Sequence, residues 1–90
     1  MIANHSQKSV IVNLLDLPLG TSAVVRGIRP VSPQDTIARR LGELGFVAGE
    51  TVRLIVQGPF GADPLLVELG GTRFALRRAE AARIELEAGA

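Results

Sequence analysis

The sequence predicts a mainly all-β fold: a small, partly open β-barrel of about five strands with one inserted α-helix. Three observations carry this prediction. Apolar residues alternate with a period of 2 in several short stretches bounded by Gly and Pro. Only one segment, residues 33–44, combines a helical apolar stripe with capping signals at both ends. The 90 residues amount to a single domain. An OB-like barrel is the near alternative. A ferredoxin-like sandwich fits less well, because it needs two substantial crossover helices where the pattern shows one.

Residues 1–13 read as a flexible N-terminal tail that ends in the β-branched patch Val10-Ile11-Val12. Asn13 is placed to cap a single helical turn over residues 14–17, with Asp16 at the third position of a capping box. Pro18 stops that turn, because the residue before a proline is pushed out of helical space. Residues 22–28 form the first strand, and Gly27 within it signals a bulge or a close backbone approach. The helix then starts with Ser32 as N-cap, Pro33 at the first helical position and Asp35 three residues after the cap. Ile37, Leu41 and Leu44 make its apolar stripe. Gly45 supplies a left-handed stop, and Phe46 folds back onto the last turn.

After Gly49 the period falls to 2. Val52, Leu54 and Val56 point one way; Arg53, Ile55 and Gln57 point the other. Residues 58–64 read as a loop and residues 65–69 as a strand. Gly70-Gly71 is a two-residue hairpin turn, with residues 72–76 as the returning strand. Residues 78–82 make a tight helical turn and residues 83–86 a last strand. The barrel domain thus spans 14–87, with 88–90 as a short C-terminal tail. The predicted core is Leu14, Leu17, Val24, Ile28, Ile37, Leu41, Leu44, Val52, Leu54, Val56, Leu65, Val67, Leu69, Leu76 and Ile84.

Composition removes several function classes. Three Phe, with no Trp or Tyr, provide no aromatic platform for stacking bases. Ten basic against nine acidic residues is not the balance of a nucleic-acid-coating protein, so no nucleic-acid partner is expected. The absence of cysteine excludes disulfides and thiolate metal centres. No apolar run approaches the roughly 20 residues of a membrane-spanning helix. The start, Met1-Ile2-Ala3-Asn4-His5, is unlike a secretory signal. The expected location is the cytoplasm, with any recruitment to the membrane made through a partner.

No catalytic residue and no cofactor are expected. The only histidine, His5, lies in the tail, away from any serine it might activate. Glu43 with Glu50, and Asp63 with Glu68, fall at helix ends, loops and strand faces, where carboxylates are solvated charges rather than an acid–base pair. His5 is a weak, adventitious metal candidate at best, in company with the Met1 amine. Gly42-Glu43-Leu44-Gly45 ends a helix instead of opening one, so it is no phosphate cradle.

Two stretches are candidate partner-binding surfaces. One is the loop with Pro59, Phe60 and Asp63, in which Phe60 either tucks under its own loop or anchors a partner. The other is the helix face with Arg39, Arg40 and Glu43. The plain reading of Arg40 and Glu43 is a solvent pair three residues apart, worth about 0.3 kcal/mol. Arg77-Arg78 reads equally as a phosphate or acidic-partner patch and as a local hydrogen-bonding pair. An unpaired barrel edge also offers a pairing site for a second copy, as in a homodimer.

The series Leu14-x-x-Leu17-x-x-Gly20, then Ile37-x-x-Arg40-Leu41-x-x-Leu44-Gly45-Phe46-x-x-Gly49-Glu50, resembles the ferrous iron transport protein A (FeoA) family. So do Gly58-Pro59-Phe60-Gly61-x-Asp63-Pro64 and Ala75-Leu76-Arg77-x-x-Glu80-Ala81-x-x-Ile84. The resemblance spans about residues 14–87. It implies an SH3-like barrel and a small cytoplasmic accessory protein of bacterial ferrous iron uptake and iron homeostasis. It also implies a partner: FeoB, a membrane transporter with a cytoplasmic GTPase domain. Activation of the GTPase and assembly of the transporter are both open as modes of action. The barrel is further similar to the C-terminal domain of iron-dependent repressors of the diphtheria-toxin type, although 90 residues leave no room for their winged-helix DNA-binding part. Two other readings compete. A proline-reading SH3 module needs an aromatic-lined groove that three Phe can hardly build. A divalent-metal carrier needs a ligand set that the sequence lacks.

Overall fold

The computed structural model describes residues 12–60 and 63–87, with Pro59 and Phe60 described by their backbone alone. The segments of period-2 alternation become strands that coil into one antiparallel sheet. In chain order the elements are β1 (Val12–Asn13), a 3-10 turn (Leu14–Asp16), β2 (Ser22–Ile28), α1 (Thr36–Leu44), β3 (Thr51–Phe60), β4 (Asp63–Leu69), β5 (Thr72–Leu76), α2 (Arg78–Ala81) and β6 (Ile84–Leu86). The strand order is β1-β6-β2-β3-β4-β5. β2 joins the two halves: it pairs with β3 over Ser22, Ala23 and Val24, then with β6 from Val25 onward.

Six strands replace the expected five or so. The additional one, β1, consists of Val12 and Asn13, which the sequence places at the end of the tail; they pair with Leu86 and Glu85. Two residues are too few to show a period, so only tertiary pairing reveals them. Asn13 caps the 3-10 turn as expected. Its side chain accepts from the Leu15 amide at 2.8 Å, while Asp16 accepts from the Asn13 amide at 3.2 Å. The bulge expected at Gly27 is present: the register with β6 shifts between Val25 and Gly27.

The helix begins later than predicted. Asp35, not Ser32, is the N-cap, and Ser32, Pro33 and Gln34 lie in the preceding turn. The carboxylate wins because Oδ1 accepts from the Ala38 amide while Oδ2 accepts from the Val31 amide, an arrangement a hydroxyl cannot match. The C-terminal end follows the sequence reading. Gly45 is left-handed at φ 117°, and the Phe46 amide reaches back to the Leu41 carbonyl at 3.1 Å.

The expected loop over residues 58–64 is mostly strand. β3 runs on to Phe60, which pairs with Asp63, so the two strands are joined at 61–62. Gly58 permits this closeness: a Cβ there would lie 2.7 Å from backbone atoms of Asp63 and Pro64. The β3–β4 register also shifts between Leu54 and Val56. That irregularity breaks the alternation and leaves Val56 48% exposed, contrary to its predicted place in the core.

The core is one cluster inside the coiled sheet. It comprises Leu14 and Leu17 at one end, Leu41 and Phe46 from the helical side, and Val52, Leu54, Leu65, Val67, Leu69, Leu76, Ile84 and Leu86 from the strands. Val25 is fully buried, whereas the predicted Val24 and Ile28 are half-buried, because β2 changes partners and bulges along this stretch. Ala38, Phe46, Ala81 and Leu86 are core residues absent from the prediction. Phe46 is the largest fully buried side chain. Its ring meets that of Phe74 at a centroid distance of 5.4 Å and a tilt of 58°, a favoured aromatic geometry.

Candidate functional site

Ile37, Leu41 and Leu44 share one stripe of α1, but the fold covers them unequally. Leu41 is buried; Ile37 and Leu44 stay 37% and 40% exposed. Neither is a core residue, which corrects the prediction. The result is a groove of about 180 Å³ between α1 and β5. Ile37, Leu41 and Leu44 form one wall; Phe74, Ala75 and Leu76 form the other. Arg40 and Glu80 are its charged lining. Val47, just past the helix, is exposed as well. Such a groove suits an apolar side chain brought by another molecule, with polar groups around it to set orientation.

The N-terminal end of α1 is built in the opposite way. Arg83, on the turn before β6, donates from Nε to Asp35 Oδ2 at 2.7 Å and from its terminal nitrogen to the Ala79 carbonyl at 2.7 Å. Asp35 also holds the Val31 and Ala38 amides. The two side chains are only 12% and 3% exposed. The Arg83 guanidinium, followed by the two backbone amides, holds the Asp35 carboxyl well below the usual carboxylate range, against the opposing effect of burial. Every bond in this cluster closes within the chain, so it ties together the loop, α1 and α2. Sequence reasoning saw Asp35 as a helix-start residue but missed Arg83, which lies 48 positions away with no local signal.

The predicted contact residues divide between two places. Arg39, Arg40 and Glu43 are all exposed on α1, and only Arg40 lines the groove. Arg40 and Glu43 do not form the expected ion pair, whereas Asp35–Arg83 and Arg29–Glu85 do pair. Asp63 has a structural task, accepting the Arg78 amide at 3.1 Å and so anchoring α2 to β4. The Arg77 amide donates to Glu80 Oε1 at 2.8 Å, which fixes the start of α2. α2 therefore touches both predicted surfaces, through Asp63 on one side and through Glu80 in the groove on the other. The side chains of Pro59 and Phe60 lie outside the described residues, as does His5.

A second depression, between β1 and β6, is lined by Val12, Asn13, Arg29, Ala82 and Glu85. Its Arg29–Glu85 pair, at 2.7 Å, has a largely exposed arginine; pairs of that kind contribute little. Among the described residues no group of three or more His, Cys, Asp or Glu could hold a metal ion. No helix among them is long and apolar enough to cross a membrane.

Comparison with known proteins bears on this geometry. Residues 12–88 match the FeoA domain family. No curated protein is significantly similar in sequence. Among solved structures, FeoA of Stenotrophomonas maltophilia, a prokaryotic SH3 domain protein solved with zinc, is 55% identical. It superposes with a TM-score of 0.80, over 86% of this chain and 91% of that one. A FeoA-like protein of Clostridium acetobutylicum is 27% identical with a TM-score of 0.74, covering 87% and 86% of the two chains. IdeR of T. acidophilum, 19% identical, shares the fold with a TM-score of 0.69 over 89% of this chain, which corresponds to 35% of that one.

Proposed function

The chain belongs to the FeoA family and has its SH3-like fold, and from this premise we propose that it is a small accessory protein of ferrous iron uptake. In this reading it binds the cytoplasmic part of a FeoB-type transporter and modulates the transporter's assembly or its GTPase-coupled activity. It works at the cytoplasmic face of the membrane, held there by its partner, and acts by binding rather than by catalysis. The observation that carries the reading is the groove between α1 and β5. The chain leaves Ile37 and Leu44 part-exposed beside a half-buried Phe74, where a self-sufficient core would have covered them. Of the other candidate contacts, Arg40 lines the groove, while Arg39 and Glu43 are exposed elsewhere on α1.

The test is co-purification with a full-length FeoB-type transporter, together with the GTP hydrolysis rate of that transporter with and without this protein. Stable co-purification or a changed rate is the expected result. No association at micromolar concentration overturns the proposal.

A further inference from the structure

One wall of the groove is also an edge of the sheet. β5 ends the strand order and pairs with β4 alone. Gly70-Gly71 closes the β4–β5 hairpin as a two-residue turn, which makes Leu69 and Thr72 a hydrogen-bonded pair. Alternating from there, Val67–Phe74 and Leu65–Leu76 are hydrogen-bonded pairs too. The amides and carbonyls of Arg73 and Ala75 therefore point away from β4, and among the described residues no backbone bond from another element reaches them.

A strand laid along this edge would present its side chains alternately to the two faces of the sheet. One face offers the apolar groove, with Phe74, Leu76, Ile37 and Leu44. The other offers the exposed side chains of Arg73 and Arg77. The edge strand and the residue after it carry two arginines and no acid, and Arg40 adds a cation in the groove. The nearby acids are placed elsewhere. Glu80 uses one oxygen on the Arg77 amide. Glu68 sits one strand inward, opposite Arg73, without an ion pair among the described residues. Glu43 lies on α1 and does not line the groove.

We infer that the β5 edge captures, by strand addition, an extended segment of a partner protein in which apolar residues alternate with Asp or Glu. Two other occupants fit the charges worse. A second copy pairing antiparallel about Ala75 would set Arg73 of one copy against Arg77 of the other, and directly opposed like charges are destabilising. The chain's own residues 1–11 contain Lys8 and no acid. The inference concerns the chemistry of the segment and holds whichever protein carries it, so a peptide tests it without any transporter.

The probe is a blocked nine-residue peptide alternating valine and glutamate, titrated into the full chain and followed by backbone-amide NMR and fluorescence anisotropy. Saturable shifts at Arg73, Ala75, Ile37 and Leu44 are expected. Methylating the peptide nitrogens on the pairing side should weaken binding by about tenfold or more, since the backbone bonds are then lost. A valine–lysine peptide, and the exposed change Arg73→Glu with the circular dichroism spectrum retained, should weaken binding to a similar extent. Four results would overturn the inference: no binding at millimolar peptide, equal binding of the lysine peptide, concentration-dependent shifts at β5 without peptide, or a β5 edge that is freed by deleting residues 1–11. The third outcome would point to a second copy and the fourth to the chain's own start.

Discussion

α1 is finished at one end and unfinished along one side. At its N-terminal end, the Asp35 carboxylate meets Arg83 and two backbone amides, nearly sealed from water. Along its flank, Ile37 and Leu44 face a groove that nothing in the described chain fills. The first region is a polar cluster whose bonds all close internally. Removing one member leaves the others stranded, so the cluster acts on folding. The second is apolar surface left in contact with water, which costs stability in the isolated chain and is recovered only on binding. The strongest electrostatic feature of the molecule is therefore structural, and its less conspicuous apolar gap is the surface proposed to bind a partner.

The most disruptive change removes the fully buried side chain behind the groove wall. Phe46 follows the α1 stop and packs on Phe74 of the groove wall. Phe46→Ala should cost about 3–5 kcal/mol in urea unfolding, as a fully buried ring replaced by a cavity. It should lower stability and partner binding together.

Asp35→Asn tests the sealed end alone. The native carboxyl is held below its usual range, so its contribution is present at neutral pH. It is lost as pH falls below the ordinary carboxylate value of about 3.9 toward the depressed one. The variant should be less stable at pH 7, and its stability should fall less than the native protein's on acidification below about pH 4. Thermal unfolding from pH 7 to pH 2 checks this. Parallel curves for the two proteins would show that Asp35 is not the linked group.

Changes at the groove should do the reverse. Ile37→Ser should alter stability by only about 0.5 kcal/mol or less, as expected for a partly exposed site, while weakening partner capture several-fold. Equilibrium unfolding and a pull-down on the same preparation separate the two effects. Smallest of all, His5→Ala should leave iron uptake by whole cells unchanged, because the proposal assigns no metal-handling role to the single histidine.

How much of this was legible in the sequence depended on the range of the signal. Most local signals held: the Asn13 capping box, the Gly45 stop, the Gly27 bulge and the Gly70-Gly71 turn all appear where their residues place them, while Ser32 lost the α1 cap to Asp35. Periodicity identified the strands but not their irregularities. One register shift in β3 was enough to move Val56 from the expected core to the surface. The stripe of α1 was visible, yet a stripe does not say how much of itself the sheet will cover, so Ile37 and Leu44 read as core. Asp35–Arg83 and the closeness of β3 to β4 at Gly58 depend on residues brought together only by the fold. The family resemblance reached the family and its fold, while the groove exists only once α1 and β5 are brought together.

The measurement that tests the central claim most directly is the affinity of the purified cytoplasmic part of a FeoB-type transporter for three versions of this protein: native, Leu44→Glu in the groove, and Glu85→Gln in the depression beside β1. Each variant is first shown to unfold cooperatively. If α1 and β5 form the contact surface, Leu44→Glu binds at least about tenfold more weakly, a difference of about 1.4 kcal/mol, while Glu85→Gln binds like the native chain. Equal affinity for all three, or a loss confined to Glu85→Gln, would contradict the account.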